Sequence, residues 1–456
     1  MRRSHPAWLL LYAGVALAQP APTPPPSEAQ EPEASRSEYS GPALLSRGFI
    51  PSLGQITELV RLRPFVEVLG AYDSGLTPVS VTSSGEIPNR DAYGAEVGFG
   101  ASGYHSWRRS VLAMQYHGRF RHYSRYRYYD GFDNTLSLNF VHRVSSRVTV
   151  VLTPAVASYS RGFFLPASGS DYYNPELASL TGDELFDNRV HSAVGSGRLI
   201  YQRTARLSFS LGGSGFTARR QSSALVGVYG YRSSGDVAYR LSRYQSIAVD
   251  YSFQHYEFQN YFGATDMHGV GLSYSVQMGR YWTLGLRAAG YRVEVSRLER
   301  VALDPVIVAI TGLRYAVSTG YHLRYVPGYE ADLARRFPHG SLSFHYMRSI
   351  SSGNGLYLTS GVESASVGYN YTGMRRASVG FSAGTSIRRA LVQDIPPYRS
   401  YSAGLTTGYR IGRGFSLRGS VGARHHEMRH TTFNRWVYHA SVGLAFSPGE
   451  VPFSLW

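Results

Sequence analysis

"SIAVDYSFQHY", residues 246–256, decides the fold. Ile247, Val249, Tyr251 and Phe253 fall on one face of an extended chain, and Ala248, Asp250, Ser252 and Gln254 on the other. Side chains of a strand alternate with a period of two, so this is β-structure with one apolar and one wet face. In a soluble sandwich the apolar face would be the core. In a closed sheet that spans a bilayer it would face hydrocarbon, and the wet face would line a lumen.

The pattern recurs from about Leu62 to Phe446. Leu136, Leu138 and Phe140 alternate with Thr135, Ser137 and Asn139; Leu207, Phe209 and Leu211 with Ser208 and Ser210. Val270, Leu272, Tyr274 and Val276 alternate with Gly271, Ser273 and Ser275; Trp436, Tyr438, Ala440, Val442, Leu444 and Phe446 with His439, Ser441 and Gly443. These segments reach the ~9–11 residues a tilted strand needs to cross a bilayer, whereas soluble strands average ~5–6. Gly, Ser, Thr and Arg dominate the wet face, which suits a crowded concave wall.

Connections give an independent signal. One class is short and Arg-tipped: "HRVSSRVTV" (142–150), "YQRTARLSF" (201–209), "YRLSRYQSI" (239–247) and "YRIGRGFSL" (409–417) are examples. The other is longer and irregular: 73–90, 121–130, 161–185, 218–224, 260–265, 296–325, 351–360, 390–399 and 428–434. Eight tight turns alternate with nine loops, which predicts about 18 strands, within a range of 16–18, in one antiparallel up-and-down barrel. Short turns on one rim and long loops on the other are the pattern of an outer-membrane barrel. Tyr281, Trp282, Tyr409, Trp436 and Tyr438 near strand ends fit interfacial girdles.

On these features the chain, over about 62–456, resembles porin-like outer-membrane β-barrels. The resemblance includes an aromatic last residue, Trp456, which in that class is read by the barrel assembly machinery. Here the usual form is broken, because Pro448 and Pro452 follow Phe446. Either Phe446 closes the barrel and the tail turns back, or the tail itself pairs. The resemblance implies outer-membrane lipid and lipopolysaccharide as surroundings, small solutes as cargo and room for a homo-oligomer.

The N-terminus agrees with export. Arg2 and Arg3 precede the apolar run Ala7–Ala16, and Ala16-Leu17-Ala18 supplies small residues before Gln19. This predicts a signal peptide over 1–18. Residues 19–60, Pro-, Ala- and Glu-rich over 19–46, are expected to be a periplasmic linker, and 61–456 the barrel. The chain has no Cys, which excludes a disulfide scaffold and a lipoprotein-type anchor. All 46 basic residues are Arg and the net charge is +16. The arginines are spread over every hairpin and form no clustered patch, so nucleic acid is not an expected partner.

Three motifs resolve into the β pattern. Gly98-Phe99-Gly100-Ala101-Ser102-Gly103 lies inside alternating β, where a nucleotide site needs a helix start. Gly380-Phe381-Ser382-Ala383-Gly384 puts Ser382 in an inward Ser/Gly row instead of a nucleophile elbow. In "RHHEMRH" (424–430), Arg424 shares a face with His426 and His430, and its charge opposes a metal there. No catalytic residue, metal or cofactor is expected.

Parity places Arg206, Arg287, Arg410, Arg418 and Arg424 on the wet face, with Glu96, Asp250 and His439, and with Glu67 on the first strand. The arginines would make the lumen electropositive. Loop 161–185 carries Asp171, Glu176, Asp183 and Glu184; the third loop of porins commonly folds into the lumen, so these acids are constriction candidates by resemblance. An outward surface loop is the other reading. The expected function is a porin-like channel for small hydrophilic, anionic solutes. The alternatives are a barrel enzyme of lipase or protease type, and a structural or export partner without channel activity.

Overall fold

The computed structural model describes residues 60–77, 90–160, 185–186, 188–259, 261–302, 308, 314–429, 431, 433–448 and 451–453. The chain runs β1 (Val60–Leu76), β2 (Arg90–Ser106), β3 (Ser110–Tyr123), β4 (Gly131–Arg143), β5 (Val148–Leu152), β6 (Ala155–Tyr159) and β7 (Val190–Gln202). It continues with β8 (Leu207–Arg220), β9 (Gly227–Arg240), β10 (Gln245–Gln259), β11 (Gly263–Met278), β12 (Trp282–Ala302), β13 (Tyr315–Phe337) and β14 (Gly340–Ser351). The last are β15 (Ser360–Tyr371), β16 (Ala377–Ala390), β17 (Tyr398–Arg410), β18 (Phe415–Met428), β19 (Asn434–Phe446) and β20 (Val451–Phe453).

Two interruptions reduce these twenty segments to 18 barrel strands. β5 and β6 keep one register against both neighbours, and Pro154 merely removes one ladder donor between them. β20 continues β19. Each strand pairs antiparallel with the next, and β19 pairs with β1 from Val66↔Phe446 to Asp73↔His439, which closes the sheet.

Exposure settles the opening ambiguity. Val249 is 53% exposed and Ser252 2% on the same strand. Val66, Val68, Val270, Leu272, Leu405, Val421, Trp436, Val442 and Leu444 are likewise exposed on the outer face. In water such a belt would cost about 25 cal/mol per Å² of apolar surface. Hydrocarbon removes that cost, and closure leaves no backbone edge unsatisfied in lipid. No helix among the described residues is long and apolar enough to span a membrane.

The repeated turn sequences have a local cause. In Val144–Arg147, Arg203–Arg206 and Leu241–Tyr244 the second residue is Ser or Thr. The Ser145 Oγ accepts the N–H groups of Arg147 and Val148 at 3.2 and 3.1 Å. Thr204 Oγ1 accepts those of Arg206 and Leu207 at 3.2 and 3.0 Å, and Ser242 Oγ that of Tyr244 at 3.2 Å. A short hydroxyl side chain thus satisfies the turn donors that the ladder leaves free. The same geometry corrects one expectation: Arg206 has inward parity but is the last residue of its turn, exposed at the rim and off the strand wall.

On the loop side the faces exchange character. Tyr256 and Phe258 keep inward parity and are buried with Val190, Val228 and Leu358. His255 and Glu257 take the outward row, where the His255 Nδ1 bonds Asp266 at 2.7 Å. Above the bilayer the outside is water and the inside is packed protein, so the wet and apolar faces swap. Several loops are therefore shorter than the sequence implied. The connection expected at 296–325 is 303–314, and that expected at 73–90 is 77–89.

The C-terminal tail is a pairing segment. Val451, Pro452 and Phe453 pair with Leu62, Arg61 and Val60. Pro452 is tolerated at this end of the closing strand.

Candidate functional site

The lumen has two charged walls. On β1–β4 and β18, Glu96 is fully buried and its Oε1 accepts from Arg121 Nε at 2.8 Å. Arg121 Nη2 reaches Asp133 at 3.1 Å, Arg119 spans Glu67 and Glu96 at 3.4 and 3.3 Å, and Arg418 Nη1 meets the other Glu67 oxygen at 3.0 Å. Beside it, buried Asp73 accepts from the Tyr123 hydroxyl at 2.6 Å and lies 2.8 Å from His439 Nδ1. Charges this far from water persist only when paired and hydrogen-bonded, which alternating charges along adjacent inward rows achieve.

On the opposite strands, Arg287 donates to Asp250 through Nε and Nη2 at 3.0 and 2.6 Å, a bidentate pair, and through Nη1 to the Tyr291 hydroxyl at 3.0 Å. The lumen-parity residues therefore have different circumstances. Glu96, Glu67, Asp250, Arg287, Arg418 and His439 are partnered on inward rows. Arg424 is half-buried on the inward row of β18, and Arg410 is exposed at the turn end of β17. His426 is buried and 2.5 Å from the Tyr398 hydroxyl. Asp171, Glu176, Asp183 and Glu184 lie outside the described residues.

Sequence reasoning missed the segment that occupies the loop-side end of the barrel. Residues 352–359, between β14 and β15, are almost entirely buried, and Tyr357 is 0% exposed. Gly353 and Gly355 take φ of +87° and +86°, conformations that glycine adopts without penalty. A Cβ on Gly353 would lie 1.8 Å from the Tyr357 carbonyl oxygen. Asn354 closes the turn, its Oδ1 accepting the Tyr357 N–H at 3.1 Å.

Contacts then carry the loop across the mouth. The Val226 N–H, from the β8–β9 connection, donates to Gly355 O at 3.0 Å. Thr359 Oγ1 sits 2.6 Å from Thr265 Oγ1 of β11, and the Tyr357 hydroxyl donates to Pro396 O at 2.5 Å. Leu358 packs with Tyr256 and Phe258, and Tyr357 with Leu185 and Tyr398. Burial pushes the Tyr357 phenol up to about 12, with Arg388 pulling the other way. The available signal was the apolar triplet Leu356-Tyr357-Leu358 inside a glycine-bearing loop, a composition that has no reason to face water.

No family model matches the chain, and no curated protein matches it. Among solved structures that align with it is a BenF-like porin from Pseudomonas fluorescens Pf-5, at 10% identity over 88% of this chain and 100% of that one, TM-score 0.44. Pseudomonas aeruginosa OccK2 (OpdF) in complex with glucuronate aligns at 12% identity over 86% and 96%, TM-score 0.41. Acinetobacter baumannii OccAB3 aligns at 8% identity over 86% and 99%, TM-score 0.41. At such scores these are likenesses only. The assignment as a membrane-spanning β-barrel of the outer-membrane type stands on the closed ladder and its apolar belt.

Proposed function

We propose that the protein is an outer-membrane channel for small hydrophilic solutes, narrowed by the inward loop 352–359 and mildly selective for anions. The observation that carries the reading is a closed 18-strand sheet, apolar outside and charged inside. Barrels of 16–18 strands leave an aqueous path. Exposed rim residues such as Arg410 supply the cationic excess. Arg418, with half its side chain exposed, and Arg287 contribute less, because Glu67 and Asp250 neutralise them. On this reading the protein passes solutes and catalyses nothing.

Purified barrel in planar bilayers under a KCl gradient tests it. Discrete conductance with an anion-favouring reversal potential is expected, and Arg418→Glu should move that potential toward cations. A bilayer that stays sealed with both the native protein and a Tyr357→Ala/Leu358→Ala variant would refute the channel.

A further inference from the structure

We propose that Glu330 and Asp332 of β13 and His345 of β14 form a divalent transition-metal site on the lumen wall, of the class that takes Zn²⁺. One ligand atom from each residue can be chosen so that all three lie within 4.8 Å of one another. Glu330 and Asp332 are two apart on one strand and share its inward face. His345 is the direct cross-strand partner of Asp332, and its Nδ1 lies 2.6 Å from Asp332 Oδ1. Two carboxylates and an imidazole are a hard-to-borderline donor set that suits Zn²⁺ and its neighbours. Zinc–oxygen and zinc–nitrogen bonds of about 2.0–2.2 Å put tetrahedral ligands about 3.3 Å apart, so modest rotamer changes complete the site.

Three further observations separate this cluster from an ordinary surface acid pair. Half-buried Glu330 accepts no hydrogen bond among the described residues, though buried carboxylates are normally satisfied. The nearest cross-strand cation, Arg287 opposite Glu330, is committed to Asp250 by two bonds, which leaves two carboxylates to share one imidazole. Gly285, opposite Asp332, has no side chain; a Cβ there would come within 4.0 Å of Asp332 Oδ2. That space leaves the oxygen open to the lumen. With three protein ligands, a fourth position stays free for water or a passing anion.

Calorimetric titration of the untagged, full-length barrel in detergent with ZnCl₂ tests the site. One Zn²⁺ per chain with micromolar or tighter affinity is expected. His345→Ala and Asp332→Asn should each weaken binding at least tenfold. His255→Ala, which removes the imidazole next to Asp266 and Glu257 on the outer face, should leave it unchanged. Heat-modifiable gel mobility reports whether each variant is folded. No binding to folded native protein, equal affinity in His345→Ala, or loss in His255→Ala alone overturns the site. A second readout rests on the channel reading: Zn²⁺ should raise anion preference in native bilayers and not in His345→Ala. Calorimetry needs no conduction, so failure of the metal site and failure of the channel are distinguishable.

Discussion

Releasing the inward loop should open the channel without unfolding the barrel. Tyr357→Ala with Leu358→Ala removes two buried side chains, 0% and 7% exposed. Truncating a buried aromatic costs about 3–5 kcal/mol and a buried Leu about 2–5 kcal/mol. The low ends together give about 5 kcal/mol against the docked loop, more than a thousandfold in its docking equilibrium. The Tyr357–Pro396 hydrogen bond is lost as well. The ladder is untouched, because β14 and β15 pair up to Ser351↔Ser360, where the loop begins. Single-channel conductance should therefore rise, and protease should cut the loop at a site shielded in the native protein. Heat-modifiable mobility should stay native. Unchanged conductance together with unchanged protease resistance would show that 352–359 is not the narrowing element.

Other outcomes follow from named contacts. Val249→Arg places a charge in the lipid belt and should destabilise the folded barrel by about 2–4 kcal/mol in urea titrations from lipid, whereas Ser273→Arg on the lumen face of β11 should cost much less. Arg121→Met breaks the buried pair and leaves Glu96 with Arg119 alone; it should cost on the order of 3–5 kcal/mol, read by the same titration, with Arg121→Met/Glu96→Leu recovering most of it. Gly353→Ala forces a side chain into φ +87° beside a carbonyl and should raise conductance in the same direction as the loop truncation. The Tyr357 phenol, normally near 10, is held up to about 12 while docked. The docked loop is thus fully favoured below pH 10 and loses that advantage as pH rises toward 12; conductance should step up in that window, and Tyr357→Phe should abolish the step.

The strand count was legible because lipid imposes a strict rule. Every second residue of a crossing strand must be apolar, so Val249, Tyr251, Val270 and Leu272 announce themselves. The turn–loop alternation was legible because Ser145, Thr204 and Ser242 repeat one turn chemistry. Where the chain leaves the bilayer the rule lapses. At Tyr256 and Phe258, and at Tyr291, Val293 and Val295, the inward row becomes the apolar one, and just beyond them the strand residues 296–302 and 315–325 were read as loop. Lumen partners such as Arg418 with Glu67, 351 residues apart, depend on closure and register, which no local pattern carries. The inward loop follows no period at all. Its burial comes from contacts to Val226, Thr265 and Pro396, each remote in sequence.

The seam between β1 and the β19–β20 end has a consequence for biogenesis. Its partners, such as Asp73 and His439, are the first and last parts of the sheet to be synthesised. Until β19 reaches β1, the sheet is an open ribbon with two raw margins of unpaired amides, the configuration most prone to capture by other strands. A chain truncated before β19 would therefore yield a sticky, unclosable sheet instead of a slightly shorter barrel.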